Sequence, residues 1–406
     1  MYARNDGSLA ELQAFAPGVT DSESAVQVTG SAALNVYRAQ LHGLAAQDRL
    51  RTLQPRSGID FSSNDYLGLA TSKRLCDAVT TALERGTPIG AGGSRLLRGN
   101  APEHEELEAA AATFFHSERS LYFGGGYVAN YAVLSTLPQK GDLIVLDALA
   151  HASANEGARA GRAEVARALH NDVGAFEAEI LKWRACGGRG RVWIAIESLY
   201  SMDGDQAPLD ELMALADRHD GMFYVDEAHA TGVYGTDGRG LAASLEGREN
   251  VLVLHTCGKA LGGSGALVSG PRVLCDFLVN RCRPFIFATA PSPLMAAAAL
   301  EALKILKDEP ERRERLAHLV ALAGEAARSQ GIAASGSQIM PVIIGTDSSA
   351  IALAAALRAR GFDVRAVRPP SVPEGTARLR IAVTLNADRK AVERLFEALA
   401  AERRSA

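Results

Sequence analysis

Between about Phe61 and Pro291, short apolar runs alternate with longer stretches whose apolar positions recur at helical spacing. Runs of strand length lie at Ser120–Phe123, Leu143–Leu146, Val192–Ile196, Met222–Val225 and Val251–Leu254. They are largely continuous rather than alternating, which predicts strands buried on both faces. Helical patterns such as Leu209–Arg218 fall between several of them. Strand–helix–strand alternation of this kind predicts a mainly parallel sheet covered by helices on both sides.

The flanks read differently. Residues 1–60 have the pattern of helical lead-in segments followed by a loop at Gln54–Gly58. After Pro293 an alanine- and leucine-rich helix, Leu294–Lys307, precedes a second helical stretch. The tail mixes short strands at Met340–Ile344 and Leu379–Val383 with helices at Ala350–Arg360 and Arg389–Glu402. The expected fold is therefore α/β: an N-terminal segment (1–60), a large domain on the parallel sheet (61–290) and a smaller α+β C-terminal domain (291–406). No repeat or low-complexity linker separates the last two, which predicts close packing.

Composition narrows the class without naming it. Apolar residues make up 47% of the chain and charged residues 22%, as in ordinary soluble enzymes. A formal net charge of -4 argues against nucleic acid as a partner. The basic clusters at 311–315 and 402–404 are interleaved with acids and read as solvated helix faces. No apolar run is long enough to span a membrane, and MYARNDGSLAELQAF lacks a signal-like apolar core. Five scattered cysteines without a CxxC pair suit a reducing cytoplasm and give no metal site.

Candidate chemistry gathers at the ends of the apolar runs. In VLVLHTCGKALGGSGA (Val251–Ala266), Thr256 and Lys259 follow a strand directly and stand among glycines. An uncrowded lysine there can meet a planar carbonyl ligand and form a Schiff base, although a surface lysine in a flexible loop has the same pattern. The glycines do not make a GxxxxGK[ST] phosphate loop. In GMFYVDEAHATG (Gly221–Gly232), a strand delivers Asp226 and His229 at its carboxyl end, where open parallel sheets bind ligands. An aspartate there can keep a pyridine nitrogen protonated; it can also be a helix cap or a metal ligand, but no third ligand of matching spacing is near. SLYFGGGYVANYAVL (Ser120–Leu134) runs from strand through a triple glycine into a helix, a backbone anion site or a plain turn. ESLYSMDGDQAPL (Glu197–Leu209) presents Ser201, and DALAHAS presents His151, which alone reads equally as a satisfied turn residue. If the sheet is parallel, these strand ends converge on one side of it.

In these motifs the chain resembles the α-oxoamine synthases, fold-type-I pyridoxal-phosphate enzymes. The resemblance runs from FSSNDYLGLA (Phe61–Ala70) to RPPSVPEGTARLRI (Arg368–Ile381) and includes GAGGSRLLRGN, FGGGYVAN, SMDGD, VDEAHATG and T-x-G-K-A in the family's order. It implies a Schiff-base role for Lys259, which would also act as base at the substrate α-carbon, and a pairing of Asp226 with the pyridine nitrogen. His229 and Ser201 would contact the ring oxygen or its surroundings, and His151 would stack on the ring. Gly125, Gly126 and Tyr127 would form the turn that meets the cofactor, with Thr256 near the phosphate and Thr289 reaching it across a dimer interface. Arg380 would bind the amino-acid carboxylate, Ser371 and Asn64 would line the substrate cleft, and Arg49 or Arg51 would be the N-terminal arginine that contacts substrate. Gly124 and Gly125 depart from the family's usual residues, Cys257 is unusual beside the lysine motif, and Ser371 stands where threonine is common.

The implied reaction is decarboxylative condensation of an amino acid with an acyl thioester by a homodimer. RPPSVPEGTARLR resembles the branch that joins L-alanine to a pimeloyl thioester, on coenzyme A or an acyl carrier protein. A sister activity would use glycine with acetyl- or succinyl-coenzyme A. A non-catalytic scaffold subunit of this fold would be expected to lack the lysine, and a nicotinamide dehydrogenase would need a GxGxxG that opens no βαβ unit here.

Overall fold

The structure, a computed structural model, describes residues 32–405; the lead-in pattern over residues 1–31 lies outside them. The chain divides into two compact units, residues 1–51 and 52–406. The first contains helix α1 (Asn35–Ala46).

The second unit opens with β1 (Ile59–Asp60), α2 (Lys73–Glu84) and α3 (Pro102–Phe114). A long alternation follows: β2 (Arg119–Phe123), α4 (Gly126–Thr136), β3 (Leu143–Asp147), α5 (Ala152–Ala160), β4 (Glu164–Ala168), α6 (Val173–Ala185), β5 (Val192–Glu197), α7 (Leu209–Arg218) and β6 (Met222–Asp226). Then come β7 (Val251–Thr256), β8 (Ala266–Gly270), α8 (Arg272–Arg281), α9 (Arg283–Ile286), α10 (Pro293–Asp308) and α11 (Glu311–Arg328). The chain closes with β9 (Ile339–Gly345), α12 (Asp347–Ala359), β10 (Phe362–Asp363), β11 (Arg365–Val367), β12 (Ala377–Ala382) and α13 (Arg389–Ser405).

Seven strands form the central sheet in the order β2-β8-β7-β6-β5-β3-β4. All neighbours are parallel except β8, which runs antiparallel to both β7 and β2. Being antiparallel to the same strand, β2 and β7 point the same way, so the carboxyl ends of β2, β3, β5, β6 and β7 lie on one side. Alternate residues supply two cores, as the pleat requires. Leu121, Ile144, Trp193, Tyr224 and Leu254 face the layer of α4, while Val145, Ile194, Val225 and Val253 face that of α6 and α7. Both faces are buried along β3, β5, β6 and β7, which explains their unbroken apolar runs.

Around this layer, α10 packs on α2 and α3, burying nine of its side chains. A smaller antiparallel sheet, β11-β12-β9, lies C-terminal to the first. Two-residue strands β1 and β10 pair in parallel and tie residues 59–60 to 362–363. Helix starts follow local chemistry: Asp172 caps α6 by accepting from Ala175 N at 2.9 Å, and His151 caps α5 by accepting from Ser153 N at 3.2 Å. Among the described residues no helix is long and apolar enough to cross a membrane.

Candidate active site

A pocket of about 320 Å³ opens at the carboxyl ends of the strands, small within the roughly 300–1,000 Å³ usual for small-molecule sites. Eight residues singled out in the sequence line it: Gly125, Gly126, Tyr127, His151, Asp226, His229, Thr256 and Lys259. Each follows from strand geometry, because a parallel sheet brings its carboxyl ends together whatever their separation in sequence.

The Lys259 loop is tight rather than flexible. Cys257 N donates to Gly265 O at 2.9 Å, Gly263 N to Cys257 O at 2.8 Å and Gly262 N to Lys259 O at 2.9 Å. Gly265 sits at φ +95°, and a Cβ there would meet the Tyr122 ring at 2.3 Å. The Lys259 Nζ approaches His229 Nε2 at 2.7 Å. Burial lowers its pKa to about 8, with the Arg380 charge acting in the same sense against Asp226 and Glu197.

From this lysine a chain of hydrogen bonds leads to Arg380. His229 Nδ1 is 2.7 Å from Tyr66 Oη, Tyr66 donates to Asn64 Oδ1 at 3.0 Å, and Arg380 Nη1 donates to the same oxygen at 3.1 Å. A guanidinium can only donate, so Asn64 presents its oxygen, Tyr66 spends its proton there, and His229 must carry its own on Nδ1. Nε2 is then left to accept from Lys259. Burial, followed by the charges of Lys259 and Arg380, holds His229 well below its usual pKa and keeps it neutral. Arg380 is itself buried and is also fixed by donating from Nε to Ser201 O at 2.6 Å.

Asp226 is held as an acceptor. Its Oδ1 accepts from Ala228 N at 2.8 Å and its Oδ2 from Asn130 Nδ2 at 2.6 Å. Asn130 also donates to Ser153 Oγ at 3.0 Å, and its Oδ1 accepts from the buried Tyr224 hydroxyl at 2.8 Å. Ser153 in turn meets His151 Nδ1 at 2.7 Å, which sets that ring. Burial lowers the His151 pKa, with Asp226 opposing.

Pyridoxal phosphate fits this donor set. The first-turn N–H groups of α4 have no partner one turn back and form an anion site. A side chain at Gly126 would drive a Cβ to 2.7 Å from Thr256 Cγ2, so the close packing of the α4 start against Thr256 depends on glycine. Asp226 stands ready for a pyridinium, and Lys259 for a carbonyl carbon.

The other expected residues are placed elsewhere. Asn64 and Arg380 join through the hydrogen-bonded chain without lining the pocket. Ser201 is buried beside Glu197, to whose Oε2 it donates its N–H at 3.1 Å. Thr289 is exposed one residue before Ala290, whose N–H donates to Gly93 O at 2.9 Å. Ser371 is exposed before β12, and Arg49 and Arg51 belong to the N-terminal unit. The sequence reading missed Tyr66, Asn130 and Glu197. All three lie inside quoted motifs, and Glu197 ends a strand at the parity that puts it on the Asp226 face.

Comparison with known proteins agrees with this geometry. Residues 56–399 match the family model for aminotransferase class I and II. An 8-amino-7-oxononanoate synthase of Anaeromyxobacter dehalogenans (strain 2CP-1) is 43% identical over 385 residues, covering 91% of this chain and 96% of that protein. One from Chromobacterium violaceum is 43% identical over 345 residues, 84% and 88% of the two chains. A serine palmitoyltransferase from S. paucimobilis with a bound PLP–myriocin aldimine superposes with a TM-score of 0.82 at 27% identity, covering 92% of this chain and 98% of that one. The 8-amino-7-oxononanoate synthase of Francisella tularensis does so with a TM-score of 0.71 at 27% identity, over 86% and 98%. The chain belongs to the aminotransferase class I and II family, with the fold-type-I architecture and pyridoxal phosphate as its cofactor.

Proposed function

We propose that this chain is an 8-amino-7-oxononanoate synthase of biotin biosynthesis, joining L-alanine to a pimeloyl thioester, on coenzyme A or an acyl carrier protein, with loss of carbon dioxide. The observation that carries the reading is the fixed path from Arg380 through Asn64, Tyr66 and His229 to Lys259. It joins a group suited to a substrate carboxylate to a group suited to moving a proton. Relatives 43% identical over most of the chain bear that name.

When bound, pyridoxal phosphate supplies an electron sink for the pair of electrons left at the amino acid's α-carbon. Asp226 would pair with the ring nitrogen and hold it protonated, its carboxylate oriented by two donors, Ala228 N and Asn130 Nδ2. The first-turn N–H groups at Gly126 and Tyr127, with Thr256, would hold the phosphate, and His151 would stack on the ring. Arg380, oriented by Ser201 O and Asn64, receives the L-alanine carboxylate, Ser371 contacts the substrate, and the N-terminal arginine with a substrate role is Arg49 or Arg51. Lys259 removes the α-proton and later returns one; an amine with a pKa of about 8 is neutral in a useful fraction near pH 7.5. A carbon–carbon bond forms between the α-carbon and the thioester carbonyl, the thiol leaves, and the carboxylate departs as carbon dioxide.

The working form is a cytoplasmic homodimer in which Thr289 serves the partner's phosphate site, and the functional division of the chain falls near residues 60 and 290. A sister activity with glycine and acetyl- or succinyl-coenzyme A would use the same residues. A scaffold role is disfavoured by Lys259, Asp226 and His229 standing together in one pocket. The test is thiol release by the cofactor-loaded protein offered pimeloyl-coenzyme A with L-alanine, and separately acetyl-coenzyme A with glycine. Release with the first pair alone, abolished by Lys259→Ala, is expected. Release with the glycine pair instead would move the protein to the sister activity.

A further inference from the structure

Two arginines alternate along β12 and reach the same loop of the large sheet. Arg378 and Arg380 share one face of the strand, while Leu379 and Ile381 turn into the hydrophobic core. Both arginines are buried. A buried guanidinium is costly unless its donors are matched, and both of these meet residues 201–203, in the loop that follows β5. Arg380 Nε donates to Ser201 O at 2.6 Å. Arg378 Nη1 donates to Met202 O at 3.4 Å and forms an ion pair with Asp203 Oδ1. Its Nε and Nη2 turn back to Thr376, to the carbonyl at 3.0 Å and the hydroxyl at 3.1 Å.

The loop itself is fixed from the large sheet. Tyr200 N donates to Asp205 O and Gly204 N to Tyr200 O, each at 2.9 Å. Ser201 N is held by Glu197 at the end of β5 at 3.1 Å. Asp205 is held by His170, which follows β4, at 2.8 Å and by Asn171 Nδ2 at 2.7 Å. On its other side Gly204, at φ +71°, presses against β9, where a Cβ would come within 2.2 Å of Ile339 O. The large sheet thus sets the loop, and Arg378 is a side chain through which β12 takes its position from it. Arg380 stands two residues further along the same face, so whatever fixes Arg378 also fixes the strand that aims Arg380. Neither Arg378 nor Asp203 lines the pocket.

We infer that Arg378 and Asp203 are a positioning pair for the substrate carboxylate: their ion pair aims the Arg380 guanidinium, and neither of them touches substrate or cofactor. The role rests on the reading of Arg380 as the carboxylate receptor and adds to it the residues that make that receptor rigid. Arg380 spends Nε and one N–H of Nη1 inside the protein. A carboxylate must pair with the donors that remain, and a bidentate pair tolerates little rotation of the fork. Lysine in place of Arg378 would keep a charge opposite Asp203, but it lacks the planar fork that joins Thr376, Met202 and Asp203 at once. The defect produced by breaking the pair is therefore confined to ligands that carry a carboxylate.

The test is calorimetric binding of L-alanine and of L-alaninamide, which keeps the amine and the methyl group but has no carboxylate, to the cofactor-loaded protein. The unaltered protein should prefer L-alanine. Arg378→Met should weaken L-alanine binding by roughly 10- to 100-fold and leave L-alaninamide within about threefold. Arg378→Lys should fall between the two. Asp203→Asn, at a side chain that is 34% exposed, should weaken L-alanine by roughly 3- to 10-fold with the same selectivity. Adding it to Arg378→Met should cost little more than Arg378→Met alone, because the pair is already broken. Equal weakening of both ligands, or L-alanine affinity unchanged in Arg378→Met and Asp203→Asn, would overturn the assignment. Melting curves establish that each variant is folded; should Arg378→Met fail to fold, Asp203→Asn decides by the same comparison. An unaltered protein without preference for L-alanine would instead remove the carboxylate reading of Arg380, and the inference with it.

Discussion

Asn130 holds the acceptor side of the pocket together, and removing it gives a quantitative test of that network. The residue is 2% exposed. Its Nδ2 donates to Asp226 at 2.6 Å and to Ser153 at 3.0 Å, while its Oδ1 accepts from Tyr224 at 2.8 Å. Asn130→Ala deletes one hydrogen bond to a charged group, worth roughly 1.5–3 kcal/mol, and strands a buried tyrosine hydroxyl at roughly 1–3 kcal/mol. The sum predicts a loss of about 2.5–6 kcal/mol, measured by urea unfolding of the cofactor-free protein. The Tyr224 contribution can be separated. Tyr224→Phe alone should cost about 1 kcal/mol, but in the Asn130→Ala background it removes an unsatisfied group and should recover about 1–2 kcal/mol. Strictly additive losses, or an Asn130→Ala cost below about 1 kcal/mol, would refute the proposed division of partners.

Other perturbations test separate parts of the structure. Gly126→Ala should weaken cofactor binding by roughly 5- to 100-fold, because its Cβ meets a stiff, buried Thr256 methyl at 2.7 Å. Adding Thr256→Ser, which deletes that methyl, should restore most of the affinity in an equilibrium titration. His170 lies 2.8 Å from both Asp147 and Asp205; burial alone would lower its pKa, but the two carboxylates win and raise it to about 10. A folded-state value above the unfolded 6.5 means that the stabilisation is complete below pH 6.5 and is lost as pH rises toward 10. The shift corresponds to roughly 3–5 kcal/mol, so His170→Gln should flatten that limb of the pH–stability curve; an unchanged slope would exclude the bridge. Thiol titration of the native protein should modify the exposed Cys76 and Cys186 and spare the buried Cys257, Cys275 and Cys282. Burial pushes the Cys257 thiol up to about 12, so its place beside the lysine motif does not make it a reactive thiol.

The sheet was legible because its strands are buried on both faces. Apolar runs read at Leu143–Leu146, Val192–Ile196, Met222–Val225 and Val251–Leu254 lie within β3, β5, β6 and β7, and Leu209–Arg218 coincides with α7. Strands without that signal were missed. The edge strand β4, with the sequence EVARA, carries two charged side chains and is largely exposed; β8 is five residues following a glycine loop. The two-residue β1 and β10 owe their pairing to partners some 300 positions away, which no local pattern contains. The site divides on similar lines. Residues delivered by strand ends converge in one pocket, whereas Thr289 and Ser371, which came from the resemblance alone, do not line it, and Arg49 and Arg51, from the same source, belong to the N-terminal unit. Glu197 could have been found by counting parity along β5, since its Cα partner is Asp226.

Two groups of fixed character determine the direction of every hydrogen bond between them and the histidines. Arg380 can only donate, so protons run from it to Asn64, from Tyr66 to Asn64, from His229 to Tyr66 and from Lys259 to His229. Asp226 as an anion can only accept, so they run from Tyr224 to Asn130, from Asn130 to Asp226 and Ser153, and from Ser153 to His151. Both imidazoles thereby have Nδ1 committed by a neighbouring hydroxyl, Tyr66 for His229 and Ser153 for His151, and desolvation lowers the pKa of both. His229, held well below its usual value, is not poised to exchange a proton near neutral pH. The pocket groups whose pKa values fall within reach of that range are Lys259 and Glu197, each at about 8. The fold thus fixes its histidines to orient and leaves one amine and one carboxyl able to titrate, which is the separation of duties that a reaction moving a single proton at carbon requires.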